Sequence, residues 1–184
     1  MSNQLQMYWP EGQTISRSDK HELPEDYRVR TYQSKDNEKY ISLMISTEFD
    51  WEQSTLDNVL SNTTTDNIIF VEHVASKQIV ATAMACLDES EHFPDGTQLG
   101  WVACDKKHRG LNLGSIVCAN VLQRCINLKY KNIYLKTDDF RLAAIKTYLN
   151  LGFEPLFHLS DMKERWNTVF ASLNMNQTAR KELA

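Results

Sequence analysis

A basic loop with two glycines joins an apolar run to a helical pattern in the sequence CDKKHRGLNLGS, residues 104–115. The preceding run LGWVAC (residues 99–104) indicates a β-strand, and the apolar spacing over residues 115–128 predicts an α-helix. A helix that begins directly after such a loop presents unpaired N–H groups and a partial positive charge, which favour an anion. The stretch therefore predicts a phosphate-binding loop. Formal positive charge at the same place comes from three side chains, Lys106, Lys107 and Arg109.

Two common phosphate-binding motifs do not fit this loop. A Walker A loop has lysine directly after its last glycine, whereas Ser115 follows Gly114 here. The dinucleotide-binding fingerprint needs three glycines at G-x-G-x-x-G spacing, which Gly110 and Gly114 do not supply. The loop instead resembles the acyl-CoA loop of the GCN5-related N-acetyltransferases (the GNAT superfamily), which reads Gln/Arg-x-x-Gly-x-Gly/Ala. Arg109 and Gly114 match that pattern, and Asn112 stands at the middle glycine. Asparagine tolerates the left-handed conformation better than most residues, so we expect the turn to be kept.

A second segment resembles the later signature of the same family. It reads DDFRLAAIKTYLNLGF over residues 138–153, and the family signature is a helix of the form Ala-Ile-x-x-Tyr-x-x-x-Gly-Phe. The family often has asparagine three residues before that alanine, where this chain has Arg141. Two motifs in the family's order, with a strand between them, are more specific than either alone. The resemblance spans about residues 27–158, and the residues in register are Ala144, Ile145, Tyr148, Gly152 and Phe153.

The order of elements predicts an α+β fold with a single domain. It matches the GNAT fold, which is a three-layer α/β/α arrangement around a mixed, mostly antiparallel sheet of about six to seven strands. The resemblance implies that the fourth and fifth predicted strands part like a V. We expect residues 1–25 to form an N-terminal arm that wraps the domain through Tyr8 and Trp9, and residues 26–184 to form one acyltransferase domain. Strands are predicted at 27–32, 67–74, 79–87, 98–104, 132–136 and 153–159, and helices at 36–49, 54–60, 115–128, 143–151 and 161–173.

Composition excludes several classes of protein. A chain of 184 residues with 42% hydrophobic and 24% charged residues is typical of a globular domain with its own core. A net charge of -4 argues against general nucleic-acid binding. The chain has no apolar run long enough to cross a bilayer and no signal peptide at its start, so we expect a cytoplasmic protein. The four cysteines and the histidines lack metal-ligand spacing, so no metal and no disulfide are predicted. The oligomeric state, including a dimer through the last helix, stays open.

The resemblance implies where acetyl-CoA, the expected co-substrate, would lie. In the GNAT fold it occupies the opening between the parted strands, where the pantetheine amides pair with unpaired main-chain groups. The pyrophosphate would reach the amides of the loop and of the first helical turn. The cofactor-binding residues predicted in this way are Val102, Ala103, Cys104, Arg109, Gly110, Leu111, Asn112, Leu113, Gly114 and Ser115.

Tyr148 aligns with the tyrosine that, in many family members, protonates the leaving thiolate of coenzyme A. A phenol near the sulfur can supply that proton, whereas a tyrosine at helical spacing can also be a core residue with a satisfied hydroxyl. We expect the catalytic role. Cys104 could be a nucleophile, but the resemblance implies direct transfer of the acyl group. No general base is assigned. The conceivable groups are Glu72, His73, Asp88, Asp138, Asp139 or a water molecule.

The acceptor is the least constrained part of the prediction. In this fold the acceptor pocket is built by residues 33–66 and by the segment after the sixth predicted strand. Residues 23–30 and 139–142 are similar to the acetyltransferase domains of mycothiol synthase, which favours a small amine. We therefore predict transfer of the acetyl group of acetyl-CoA to the amine of a small molecule. A non-catalytic CoA-binding or sensor domain, and an acetyltransferase for protein lysines or N-termini, stay open.

Two sets of side chains could contribute to the acceptor pocket. The acidic set in the region of the first two helices would suit a cationic amine, or it would form a solvated helix face. The aromatic set could line the pocket, or it could pack in the core. The acidic residues are Glu48, Asp50, Glu52 and Asp57, and the aromatic residues are Phe49, Trp51, Phe93 and Trp101.

Overall fold

A mixed seven-stranded sheet forms the centre of the protein. The computed structural model describes residues 4–15, 22–87 and 90–175. Parts of the predicted arm, the candidate base Asp88 and the end of the chain lie outside these ranges. Neighbouring strands follow the order β2-β3-β4-β5-β6-β1-β7 and are antiparallel except for β5 and β6. The strands are β1 (Leu5–Tyr8), β2 (Tyr27–Thr31), β3 (Ile68–His73), β4 (Gln78–Leu87), β5 (Thr97–Cys104), β6 (Ile133–Thr137) and β7 (Glu154–Leu156).

Helices cover both faces of the sheet and enclose two apolar cores. One core lies under α1 and α2, where Tyr40, Met44 and Leu56 pack against Phe70 of β3. The other lies under α3, α4 and α5. The predicted three-layer α/β/α arrangement is confirmed. None of the helices in the described part of the chain is long and apolar enough to cross a membrane. The helices are α1 (Asn37–Ser46), α2 (Gln53–Ser61), α3 (Leu113–Asn127), α4 (Leu142–Leu151) and α5 (Met162–Ser172).

The N-terminal segment belongs to the sheet. We expected residues 1–25 to be an arm around the domain, but Leu5–Tyr8 form β1 between β6 and β7. Leu5 and Met7 are fully buried in the core under α3, α4 and α5. Trp9 continues the segment and contacts the ring of Phe153, with 5.5 Å between centroids. A strand of four residues is too short for its alternation to be separated from an irregular segment in the sequence.

The other elements lie within three residues of their predicted bounds, and the ends of α1 and β7 differ most. We expected β7 over residues 153–159, whereas it covers Glu154–Leu156. It is an edge strand whose sheet partner is β1, and β1 is itself only four residues long. Pro155 also lacks an N–H to donate to a ladder. The short partner therefore limits the length of β7.

The parallel strands β5 and β6 separate after a short contact. They pair at only two positions, Thr97–Ile133 and Gln98–Tyr134, although both strands continue beyond them. A bulge interrupts β5 just after this contact, because β5 has two residues, Trp101 and Val102, where β4 has one. Trp101 adopts a left-handed φ of 49°. A bulge bends a strand and increases its twist, so it directs β5 away from the flat course of the sheet. The predicted V is confirmed.

A network of ion pairs fastens β2 and β3 to the start of α1. The Arg30 guanidinium lies between two buried carboxylates, 2.7 Å from Glu72 Oε2 and 2.7 Å from Asp36 Oδ2. Arg28 lies 2.7 Å from the other oxygen of Glu72. Burial alone would raise the pKa of both carboxyls, but the arginine hydrogen bonds and charges outweigh burial and hold each pKa below its usual range. Glu72, a candidate base, is therefore occupied by this network.

We expect Arg30→Met to lower the free energy of unfolding at neutral pH by about 3 kcal/mol, because it leaves two buried carboxylates short of their main partner. Since both pKa values are lowered in the folded state, the network stabilises above about pH 4, and this stabilisation is lost as the pH falls through the lowered values. Urea unfolding at neutral pH and near pH 3 measures the difference. Arg28→Met is the control and should cost under about 1 kcal/mol, because Arg28 is half exposed. An equal loss for Arg30→Met at both pH values would contradict the assignment.

Asn112 gives α3 its left-handed start. Its φ of 56° and ψ of 18° lie in the left-handed region, as expected from its place at the family's middle glycine. Glycine adopts this conformation at little cost, whereas a β-branched residue is strained there.

Asn112→Gly should therefore change the free energy of unfolding by less than about 0.5 kcal/mol, while Asn112→Val should lower it by about 1–2 kcal/mol. Chemical denaturation measures both variants. Asn120→Val, at an exposed position inside α3, is the matched control, because asparagine and valine have similar helix propensities. Similar losses for the two valine variants would mean that backbone conformation at residue 112 is not the cause.

Candidate active site

A cavity of about 570 Å³ lies where β5 and β6 separate. The bulged part of β5 forms one wall and the end of β6 forms another. Side chains of α2 and α4 close it from the two helical layers. Parted strands cannot satisfy each other's main-chain groups, so the gap offers hydrogen-bond partners to a ligand. The cavity therefore has the position and size of a binding site for a small molecule.

Tyr148 of α4 lies on the wall of this cavity. Its side chain is buried, with a relative exposure of 5%, and its ring packs against Phe153 at 6.2 Å. Among the described residues, none forms a hydrogen bond with its hydroxyl group. Burial raises the pKa of Tyr148 far above its usual value and Cys118 adds to this effect, while Arg141 opposes it. The phenol is therefore protonated at neutral pH and has a proton to give.

The loop after β5 leaves a row of amides without partners. The N–H of Asp105 donates to the Val80 carbonyl at 2.8 Å, and the Asp105 carboxylate accepts from the N–H of Lys107 at 2.7 Å. After this anchored start, no described residue accepts a hydrogen bond from the main-chain N–H groups of residues 110–113 and 115. A Cβ added at Gly110 or Gly114 would meet nothing within 4 Å, so the space beside these amides is open. Unpaired donors beside open space at a helix start fit a phosphate group.

The three cations of the loop differ in their surroundings. Lys106 Nζ lies 2.6 Å from Glu48 Oε1, so this pair joins the loop to the corner between α1 and α2. The side chains of Lys107 and Arg109 are exposed and form no ion pair within the described part of the chain. Lys107 and Arg109 are therefore the cations of this loop that can meet an anion.

The three residues of β5 that are predicted to contact the cofactor through their main chain lie in different places relative to the cavity. The Val102 side chain lines it, whereas the Ala103 side chain is buried in the core under α1 and α2. Cys104 is half-buried beneath the loop and lies outside the cavity lining. Burial raises the pKa of the Cys104 thiol and Asp105 raises it further, against Arg109 and the Gly114 amide. A thiol that resists ionisation is a poor nucleophile.

The charged residues that line the cavity differ from the acidic residues predicted for the acceptor pocket. Glu48 pairs with Lys106, and Asp50, Glu52 and Asp57 are exposed outside the cavity, so this set forms a solvated surface. Sequence analysis missed a pair of opposite charges that follows β6. The signal available to it was the run DDFR directly after a predicted strand. The charged residues that line the cavity are Lys136, Asp138 and Arg141.

Asp138 and Arg141 form an ion pair in the cavity wall. Arg141 Nε lies 3.0 Å from Asp138 Oδ2, and the guanidinium lies over the ring of Phe49 at 5.1 Å. The neighbouring Asp139 instead accepts a hydrogen bond from Arg165 of α5 at 2.9 Å. Arg165 lowers the pKa of the Asp139 carboxyl, and burial opposes it. Of these two adjacent candidate bases, only Asp138 lines the cavity.

Aromatic rings and carboxamides complete the lining. Phe49 and Trp101 line the cavity and pack edge to face at 5.7 Å, while Trp51 is buried behind Trp101. Phe93 lies elsewhere and stacks on Tyr134. The bulge that orients Trp101 was not predicted. An isolated glycine in a strand, here Gly100, is a known sequence signal for a bulge. The carboxamides of the lining are Gln4, Asn58, Asn62 and Gln98.

The four histidines in the described part of the chain lie away from the cavity lining. His73 and His108 contact Tyr27 near the start of the loop, and His108 Nδ1 lies 2.8 Å from the Tyr27 hydroxyl. The rings of His92 and His158 lie 4.8 Å apart in a shallow groove beside β1. In residues 4–15, 22–87 and 90–175, no group of histidine, cysteine and acidic side chains is arranged to hold a metal ion.

Comparison with solved structures identifies similar folds. A GCN5-related N-acetyltransferase from Sphaerobacter thermophilus superposes with a TM-score of 0.65 at 15% identity, over 84% of this chain and 50% of that chain. This chain thus spans half the length of that relative. An acetyltransferase of the GNAT family from Staphylococcus aureus Mu50 gives 0.57 at 20% identity, over 68% and 82%. Diaminobutyrate acetyltransferase from Paenibacillus lautus, solved with L-2,4-diaminobutyric acid and coenzyme A, gives 0.55 at 17% identity, over 67% and 72%.

Sequence comparison gives the family. Curated protein sequences provide no match. The family model described as "Acetyltransferase (GNAT) family" matches residues 21–153, which include the parted strands, the loop between β5 and α3, and Tyr148. The chain therefore belongs to the GNAT acetyltransferase family.

Proposed function

We propose that this protein transfers the acetyl group of acetyl-CoA to the amine of a small molecule. The observation that carries the proposal is Tyr148, a buried side chain in the wall of the cavity between β5 and β6 whose hydroxyl has no hydrogen-bond partner among the described residues. A protonated phenol in a cleft suits a general acid.

The residues around the cleft fit coenzyme A. The unpaired amides of residues 111–113 and 115, with Gly110 and Gly114 keeping the space open, would hold the pyrophosphate next to Arg109. The main chain of Val102, Ala103 and Cys104 would pair with the pantetheine amides. When bound, the coenzyme supplies an activated acyl group as a thioester.

Tyr148 would act at the leaving sulfur. The amine nitrogen forms a bond to the acyl carbon as the carbon–sulfur bond breaks, and Tyr148 donates its proton to the sulfur. The nitrogen loses one proton in return, so the products are an amide and a free thiol. Tyr148 recovers its proton from solvent, which leaves the enzyme unchanged.

Two other functions that are compatible with the family fit the residues of this chain less well. A sensor that binds CoA without turnover would not need a buried phenol kept free of partners. A protein acetyltransferase needs an open groove, whereas here Arg141 lies over Phe49 across the cavity from α4 to the α1–α2 corner. The similar diaminobutyrate acetyltransferase, solved with a small amine, agrees with the preference for a small molecule.

Coenzyme A and acetyl-CoA should each raise the melting temperature, because a ligand that binds the folded state stabilises it by mass action. We expect Arg109→Gln to weaken CoA binding by about tenfold through loss of a charge-assisted contact to phosphate. Lys163→Gln, an exposed cation on α5, is the matched control and should bind like wild type. No stabilisation of the wild type by either ligand would refute the proposal.

Tyr148→Phe should lower kcat by about 100-fold or more with little change in the KM for acetyl-CoA, because it removes a proton donor and keeps the ring. Thiol release with an accepted amine measures both constants. Tyr130→Phe is the control, since Tyr130 lies after α3 and outside the cavity lining. A Tyr148→Phe variant with wild-type kcat would remove Tyr148 from the mechanism.

A further inference from the structure

The ion pair in the cavity has hydrogen-bonding capacity left on both members. Asp138 Oδ2 forms an ion pair with Arg141 Nε at 3.0 Å, and Asp138 Oδ1 accepts a hydrogen bond from Gln4 Nε2 at 3.2 Å. Its side chain is 31% exposed, and a carboxylate offers about four lone-pair sites. Asp138 can therefore accept further hydrogen bonds from a ligand in the cavity.

Arg141 likewise presents an unused edge of its guanidinium. Its Nε forms an ion pair with Asp138 and its Cζ lies over the ring of Phe49, while Nη1 and Nη2 have no hydrogen bond or ion pair with any described residue. The two Nη groups form a planar fork that suits carboxylate or phosphate. The guanidinium is held in place by Asp138 and Phe49, has two Nη groups without partners among the described residues, and lines the cavity. This arrangement suits an anionic group on the ligand.

Three other acidic side chains considered above pair with cations that do not line the cavity. Glu72 is held by Arg28 and Arg30, Asp139 by Arg165, and Glu48 by Lys106. Asp138 is therefore the one carboxylate that lines the cavity in the part of the chain that the structure describes. A protonated amine that enters the cavity meets its opposite charge there.

The pair also lies on the side of the sheet away from the core under α3, α4 and α5. Alternation along β6 directs Ile133 and Leu135 into that core and Lys136 to the opposite face, and Asp138 follows directly after the strand. The contacts to Gln4 and Phe49 agree with this side. Tyr148 belongs to the core under α3 to α5, so the pair and the phenol approach the cavity from different sides.

From this arrangement, and resting on the function proposed above, we propose that Asp138 and Arg141 bind the acceptor and select an amine that carries a nearby anionic group. Asp138 would receive the ammonium or amine, and Arg141 the carboxylate or phosphate of the same molecule. A plain cationic amine would compete with Arg141 for Asp138 and would leave the two cations side by side. An acceptor that carries both charges replaces the ion pair between Asp138 and Arg141 with two ion pairs to the ligand. Because Asp138 and Arg141 are in contact, the two charges of that acceptor must be only a few bonds apart.

Thiol release from acetyl-CoA with matched amines tests the proposal. One series is β-alanine, its amide and propylamine, and the other is phosphoethanolamine and ethanolamine. We expect the wild type to have at least a tenfold higher kcat/KM for the anionic member of at least one series. Arg141→Gln should bring that ratio close to one, mainly by raising the KM of the anionic amine. Asp138→Asn should lower kcat/KM for every member by about tenfold or more.

Two controls separate this role from general damage. Asp57→Asn removes an exposed carboxylate outside the cavity and should leave all ratios unchanged. Stabilisation by coenzyme A alone, measured from the melting temperature, should be the same in Arg141→Gln, Asp138→Asn and wild type. If Arg141→Gln loses that stabilisation, its anion is a phosphate of the coenzyme and the proposal is overturned.

The outcomes also distinguish the proposal from the function on which it rests. If the wild type releases thiol but prefers the amide or the plain amine in both series, acceptor selection by Asp138 and Arg141 is overturned while acetyl transfer stands. If coenzyme A binds but none of the amines releases thiol, transfer to small amines is itself overturned. Unchanged ratios in Arg141→Gln together with wild-type kcat/KM values in Asp138→Asn would overturn the proposal and show that the two charges only stabilise the corner between β6 and α4.

Discussion

The separation of two parallel strands is the constraint on which the rest of the site depends. β5 and β6 share only two paired positions, and a bulge at Trp101 and Val102 bends β5 just beyond them. A continuous ladder would satisfy the main-chain groups and fill the space. Because the ladder stops, side chains from both helical layers meet in one cavity, and Tyr148 can reach it from α4.

Arginine pairing decides which carboxylates are available for chemistry. Glu72 is nearly fully buried and forms ion pairs with Arg28 and Arg30, which lower its pKa against the effect of burial. Such a carboxylate holds strands together, and removing its partners would leave an uncompensated charge. Asp138 differs because its arginine partner also faces the cavity, so both charges can be exchanged for those of a ligand. The same type of pair therefore has a structural role at the sheet edge and a proposed recognition role in the cleft.

Local sequence signals predicted the parts of the site that depend on backbone conformation. The loop over residues 104–115 turns into α3 as expected, with Asn112 in the left-handed conformation that the turn requires. The helix that carries Tyr148 ends at Gly152, whose φ of 100° is also left-handed. These features depend on which residues tolerate positive φ and on apolar spacing within one element, and both can be read from neighbouring residues. By contrast, β1 was missed, because its four residues become a strand only when β6 and β7 offer their edges.

The sequence by itself determined the family, the order of the elements and the positions of the loop and of Tyr148, because each follows from short-range patterns. Only the tertiary structure decided which side chains share the cavity. It placed the acidic set of the α1–α2 connection and α2 at the solvated surface and brought Asp138, Arg141 and Phe49 together from separate segments. The physical reason is that charge and packing depend on distances between elements remote in the chain, and these are fixed when β5 and β6 part and the helices settle on both faces of the sheet.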